Sequence, residues 1–244
     1  MKTLIPEYHH VDKVLADVVA DVVGARGVPT GLDEATTLAD RLYPEMLDMR
    51  SRLSSVERAA LVDNFSGVIV PDNDGYSMVS LRKLTYRASG LGESAPLTEI
   101  TSFDEKTQTM AAQRVAPYAM PDDEEVIEVF RDRMVAAMGR HARGASRDLV
   151  LATARTNRMA WARELAGAEN CGFCAMLASR GAVYSKNTVR FQAHDHCDCT
   201  ATLVKDVDSW AGKEQAIGLR EMWNNSKSLT EFSRKYRELN EVAP

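Results

Sequence analysis

Two short segments of this sequence have residue types and spacing that could do chemistry, Cys171-Gly172-Phe173-Cys174 and His194-Asp195-His196-Cys197-Asp198-Cys199. The first is a C-x2-C knuckle, the usual way for a short turn to present two thiolates to one tetrahedral ion. The second supplies two more thiols and two imidazoles, beginning 20 residues further on. All four cysteines of the chain lie between positions 171 and 199. A disulfide framework of an exported protein spreads its cysteines to staple distant loops, so this clustering points instead to one zinc ion. The candidate ligands are Cys171, Cys174, His194, Cys197 and Cys199. If residues 194–199 are extended, Cys197 and Cys199 share a face and complete a four-thiolate set. A turn before Cys197 would let His194 replace one of the last two thiols. Asp195 and Asp198 are expected outside the ligand shell, because zinc with thiolates at hand seldom takes carboxylate. Either set closes the coordination sphere and leaves no position for water, which makes the zinc structural.

Other catalytic signatures are absent. A zinc deaminase carries H-x-E and P-C-x-x-C, whereas here the histidines flank Asp195 and Asn170 precedes Cys171. The sequence contains no H-E-x-x-H, no phosphate-cradling glycine loop and no G-x-S-x-G. His9, His10 and His141 read as surface or helix-face residues.

A second feature is electrostatic. The chain has a formal net charge of -5. Between Arg131 and Arg163, however, eight arginines face two acids, Asp132 and Asp148, a local charge of +6. One reading is a solvated helical face. The other is a docking surface for phosphate or an acidic partner, with Arg140, Arg143, Arg155 and Arg158 as contacts.

The elements that must position these residues are mostly helical. Val11, Val14, Leu15, Val18, Val19, Val22 and Val23 recur at helical spacing, and Gly24 and Gly27 end the pattern. This stripe is either core or a face for a partner protein. A second helix starts near Asp33, with Pro44 expected to kink or divide it. Ser54 and Glu57 have capping-box spacing and predict the start of a further helix. Val68–Val70, the Pro71–Gly75 turn and Tyr76–Leu81 read as a hairpin. Residues 90–122 read as irregular connection with one short helix near 106–116. Past Pro121 two helices are expected, one ending between Gly139 and Gly144 and one over 146–166. The tail from Lys213 to Leu239 reads as one or two amphipathic helices. The fold class is mainly α with a small β element. A helical N-terminal region with a hairpin, residues 1–120, precedes a C-terminal helix-turn-strand region, residues 121–244, tied by zinc.

The composition, 45% hydrophobic and 27% charged over 244 residues, suits a folded domain or two. No apolar run approaches the roughly 20 residues of a membrane span, and Met1–Glu7 has no apolar signal core. Folding in a cytoplasm is the expectation.

The stretch from Arg155 to Leu203 resembles the C-terminal signature of the phage minor head proteins similar to Mu protein F, in the form found in phages of actinobacteria. Arg163, the block Cys171-Gly-Phe-Cys-Ala-Met-Leu-Ala-Ser-Arg-Gly-Ala-Val-Tyr184 and His194-x-x-Cys197-x-Cys199 carry the resemblance. They cover about a fifth of the chain. The resemblance implies a minor capsid protein active in head morphogenesis, present in few copies in the virion interior near the portal, and in the host cytoplasm during assembly. The implied partners are the portal protein, with scaffold or major capsid protein, and packaged DNA contacted without sequence preference; no membrane is implied. The resemblance also favours His194 over His196. Some relatives are capsid maturation proteases, which makes proteolysis the alternative activity. A zinc-stabilised helical binding module without a phage role is the alternative outside enzymes.

Overall fold

The computed structural model describes residues 4–24, 26–72, 75–92, 97–104, 109–167, 170–184 and 191–241. Among them are seven α-helices and two small antiparallel sheets, the mainly α fold with a small β element expected from the pattern. In chain order these are α1 (Ile5–Gly24), α2 (Leu32–Asn64), α3 (Met78–Ala88), β1 (Thr98–Asp104), β2 (Thr109–Val115), α4 (Glu124–Thr156), β3 (Ala160–Glu164), α5 (Gly172–Ala178), β4 (Thr200–Val204), α6 (Lys213–Asn224) and α7 (Leu229–Glu241). The chain divides into two compact units that are not consecutive in sequence. One comprises residues 1–8, 50–74 and 143–244, the other 9–49 and 75–142.

In the second unit, α1 buries Val11, Leu15, Val19 and Val23, a stripe at i+4 spacing. The valine-rich face is therefore core and not a free docking surface; Val14, Val18 and Val22 flank it, half-buried. α2 runs unbroken through both Pro44 and Ser54. An internal proline costs about 3 kcal/mol, and the buried line Leu38, Leu42, Met46, Met49 and Leu53 outweighs that cost. Ser54 is consequently a mid-helix residue and no cap. α4 likewise passes through Gly139 and Gly144 as one helix of 33 residues, because Phe130, Met134, Met138, Ala142, Leu149 and Val150 form a continuous buried stripe.

The β elements fall elsewhere than the pattern suggested. Residues 90–122, read as irregular, contain the β1–β2 hairpin, with Thr98 opposite Val115 and Asp104 opposite Thr109. The expected helix near 106–116 is β2 from Thr109 onward, while Lys106 lies outside the described residues. Val68–Val70 is not a strand. Its backbone groups are met by side chains, since Asn157 both donates to Ile69 O and accepts from Ile69 N, and Arg58 donates to Val70 O and Pro71 O. Asn73 and Asp74 of the expected turn lie outside the described residues. Tyr76–Leu81 is also no strand, because Ser77 caps α3 by accepting from Val79 N.

The first unit carries the cysteines. α4 ends at Thr156, ten residues short of the expected helix end, and the chain turns into β3. β3 pairs with β4 from Ala160 opposite Val204 to Glu164 opposite Thr200. Trp161 stacks on Tyr184, ring centroids 4.4 Å apart, over a core of Leu149, Val150, Ala154 and Leu203. The two tail helices pack Leu219, Phe232 and Tyr236 around Ala175 and Ala178 of α5. Gly172, inside the C-x2-C knuckle, lies so close to Ser233 of α7 that a Cβ there would collide with it. The knuckle is thus clamped between the β3–β4 sheet and the tail.

Candidate metal centre

Cys171 is the N-cap of α5, its backbone extended (φ -86°, ψ 158°) and its sulfur accepting from Cys174 N at 3.4 Å. One helical turn then carries Cys174 inward, where it is fully buried. On the other side of the site, His196 adopts a left-handed conformation (φ 60°) and reverses the chain at Asp195–His196. That turn delivers Cys197 and Cys199 to the interior, 3% and 0% exposed. It also leaves His194 on the outside, next to the exposed Cys171, with Nδ1 3.2 Å from Cys171 Sγ and its ring edge-on to Phe173. Residues 194–199 are therefore not the extended run that alternation assumed.

The ligand atoms form two triads that share Cys174, namely Cys171, Cys174 and His194, and Cys174, Cys197 and Cys199. Such a cluster could hold a metal ion. The sulfurs of Cys174, Cys197 and Cys199 lie 3.2, 3.3 and 3.5 Å apart. These separations are far beyond a disulfide bond of about 2 Å, and all four cysteines are free thiols. Thiolates bonded at about 2.3 Å to a tetrahedral ion stand about 3.8 Å apart, so a shift of a few tenths of an ångström seats them. The donor set is soft, which suits zinc over magnesium or calcium. Crowding polarises the thiols: hydrogen bonds from Cys171, Cys174 and Cys199 push Cys197 far below the usual thiol range, and the same network pushes Cys174 far above it.

Buried arginines surround the cluster. Arg163, on β3 and 3% exposed, donates Nη1–H to Cys199 Sγ (2.9 Å) and Cys174 Sγ (3.4 Å), and Nη2–H to Gln192 O (2.5 Å). Arg147, on α4 and 2% exposed, donates to Cys197 O (2.9 Å) and Cys199 O (2.7 and 3.0 Å). Both guanidinium groups lie over the Phe191 ring, at 3.8 and 5.1 Å from its centroid. A third, Arg143, sits over the Tyr8 ring and faces the buried Asp198 carboxylate at 3.9 Å. Asp198 in turn abuts Gly167 so tightly that a Cβ there would overlap it.

Of the arginines expected to meet DNA or a partner, Arg155 and Arg158 are exposed and Arg140 is half-buried. Arg143 is internal, so it is no surface contact. Arg147 and Arg163 have direct roles at the cluster that spacing of the ligands alone did not reveal. A signal existed for Arg147: it lies four residues after Arg143 and three before Val150, on the buried stripe of α4.

A family model described as VG15 protein matches residues 93–226, more than half of the chain and the whole of the cysteine region. It represents a viral and phage family, and the match points to a phage protein. No curated protein and no solved structure matches the chain. Among the described residues no helix is long and apolar enough to cross a membrane.

Proposed function

The chain belongs to the VG15 protein family, and from that premise we propose that it is a minor head protein of a tailed phage, held in the virion interior beside the portal. Its work there is structural, supporting head assembly or DNA delivery by binding. The observation that carries this reading is that the family match encloses the C-x2-C…H-x-x-C-x-C region that also resembles the Mu protein F type of minor head protein. The partners are the portal protein, with scaffold or major capsid protein, and DNA met without sequence preference through the exposed Arg155 and Arg158.

In this reading the cysteine cluster holds one structural zinc, and charge selects its ligands. Four thiolates around Zn2+ carry a formal charge of -2. Arg147 and Arg163, both buried at the cluster, supply +2, while Arg143 and Asp198 cancel separately. Three thiolates and a neutral imidazole would leave one buried positive charge uncompensated, which is costly in a low-dielectric interior. The ligands are accordingly Cys171, Cys174, Cys197 and Cys199, and His194 donates a hydrogen bond to Cys171 from outside. When bound, zinc supplies folding energy to the region that links β3, α5 and β4.

Co-expression with the portal protein of the same phage tests the functional reading. A co-eluting complex, together with a few copies per particle in mass spectra of purified virions, is the expected result. A protein missing from virions and indifferent to the portal would overturn it.

A further inference from the structure

The four cysteines of the cluster are unequal in their access to solvent. Cys171 is exposed, while Cys174, Cys197 and Cys199 are buried, at most 3% exposed. Their hydrogen bonds sharpen the difference. Arg163 donates Nη1–H to Cys174 Sγ and Cys199 Sγ, and such charge-assisted bonds draw electron density from the sulfurs and lower their nucleophilicity. Cys171 Sγ accepts instead from the Cys174 amide and lies against the exposed His194. A small oxidant therefore reaches one sulfur before the other three. We propose that Cys171 is an oxidation site, at which a hydroperoxide converts Cys171 and Cys174 into a disulfide and opens the metal centre. The proposal rests on the four-thiolate reading given above and adds its regulation.

The chemistry balances with hydrogen peroxide as the oxidant. The Cys171 sulfur attacks one peroxide oxygen; an S–O bond forms, the O–O bond breaks, and the departing hydroxide takes up a proton. The Cys174 sulfur then attacks the Cys171 sulfur; an S–S bond forms, the S–O bond breaks, and a second hydroxide leaves. Two thiolates thus lose two electrons, and peroxide is reduced to two water molecules. Cys174 resolves the intermediate because it is the other sulfur of Cys171's triad, whose ligand atoms lie within 4.8 Å of one another. C-x2-C pairs at a helix start are suited to that closure. Proximity alone would choose differently, since Cys174 and Cys197 sulfurs are 3.2 Å apart and those of Cys197 and Cys199 3.3 Å. Those pairs are sealed from solvent, so access decides. Cys174 belongs to both triads. Its loss together with Cys171 leaves two thiolates of the four, too few to hold a tetrahedral ion. The centre is then stable in a reducing compartment and lost in an oxidising one, and a dithiol reductant restores it.

The test treats the full-length, zinc-loaded protein with a small excess of hydrogen peroxide. Zinc release is followed with a chromogenic chelator, and alkylated, unreduced aliquots are mapped by mass spectrometry. A Cys171–Cys174 disulfide formed in step with zinc release, and reversed by dithiothreitol with added zinc, is expected. Cys171→Asp keeps a donor and the negative charge but cannot be oxidised, so zinc should leave it about tenfold more slowly or less. If that variant does not retain zinc, the order of disulfides in the wild type decides alone. A first disulfide at Cys174–Cys197 or Cys197–Cys199, release from Cys171→Asp at the wild-type rate, or a centre that keeps its thiols and its zinc overturns the proposal. A protein that purifies without zinc contradicts the metal reading instead; the same map then shows whether Cys171 and Cys174 pair first.

Discussion

The cysteine cluster and Glu57, in the last third of α2, lie in one compact unit, and they handle buried ionisable groups in opposite ways. At the cluster three buried arginines meet the acceptors within the fold. Arg163 meets two sulfurs, Arg147 meets the carbonyls of Cys197 and Cys199, and Arg143 meets Asp198. Glu57 has no such neighbour among the described residues, and burial pushes its carboxyl up to about 7. The contrast separates two meanings of a buried charge. A compensated group is part of the scaffold and becomes costly only when its partner is removed. An uncompensated one destabilises the folded protein whenever it ionises.

The largest effect should come from the residue common to both ligand triads. Cys174→Ser is expected to abolish metal retention and lower unfolding free energy by on the order of 5 kcal/mol or more. Zinc analysis beside denaturant titration checks it, and a variant that keeps its metal and its midpoint would remove the cluster from the scaffold. Next come the counter-charges. Arg163→Met and Arg147→Met each leave part of a buried anionic centre unpaired, and a loss of about 3–5 kcal/mol is expected. If instead these variants were neutral, the cluster would be no more compensated than Glu57.

Glu57→Gln should act in the reverse direction. Burial pushes the Glu57 carboxyl up from its ordinary 4.5 to about 7. The native state therefore holds its proton through a pH range in which the unfolded chain has lost it, and wild-type stability falls as pH rises from about 4.5 to 7. Glutamine removes that penalty, giving a gain of roughly 2–3 kcal/mol at pH 8 and little below pH 4.5. Melting curves at the two pH values decide the matter, and a pH-independent difference contradicts an uncompensated Glu57. The smallest effect belongs to the exposed arginines. Arg155→Ala and Arg158→Ala should stay within about 0.5 kcal/mol of wild type in the same melting assay, which calibrates the buried ones.

How much of this was legible in the sequence differs between the same two places. The cluster was readable because ligand chemistry demands particular residue types at short spacing, and Cys171, Cys174, Cys197 and Cys199 met that demand before any fold was known. What spacing could not convey was the left-handed turn at His196, which cancels the alternation argument and puts His194 beside Cys171. Arg143 and Arg147 read as surface charge because eight arginines in a run suggest a solvated face. Their burial follows from the α4 stripe continuing through Gly144, where two glycines suggested an end. The burial of Glu57 was hidden for a similar reason. Ser54 and Glu57 fit a capping box, a local signal, but the burial of Leu53 and Leu61 keeps α2 helical and turns Glu57 inward as an interior acid. The hairpin at 98–115 escaped notice because its strands are rich in polar residues, so that no apolar alternation marked them.

Zinc K-edge X-ray absorption of the full-length protein tests the metal centre most directly. A single shell of four sulfurs at about 2.3 Å, with no nitrogen scatterer, is the result expected of a four-thiolate site balanced by Arg147 and Arg163. A shell of three sulfurs and one nitrogen would make His194 a ligand and contradict the charge balance, and a protein that purifies without metal yet melts cooperatively would contradict the centre itself.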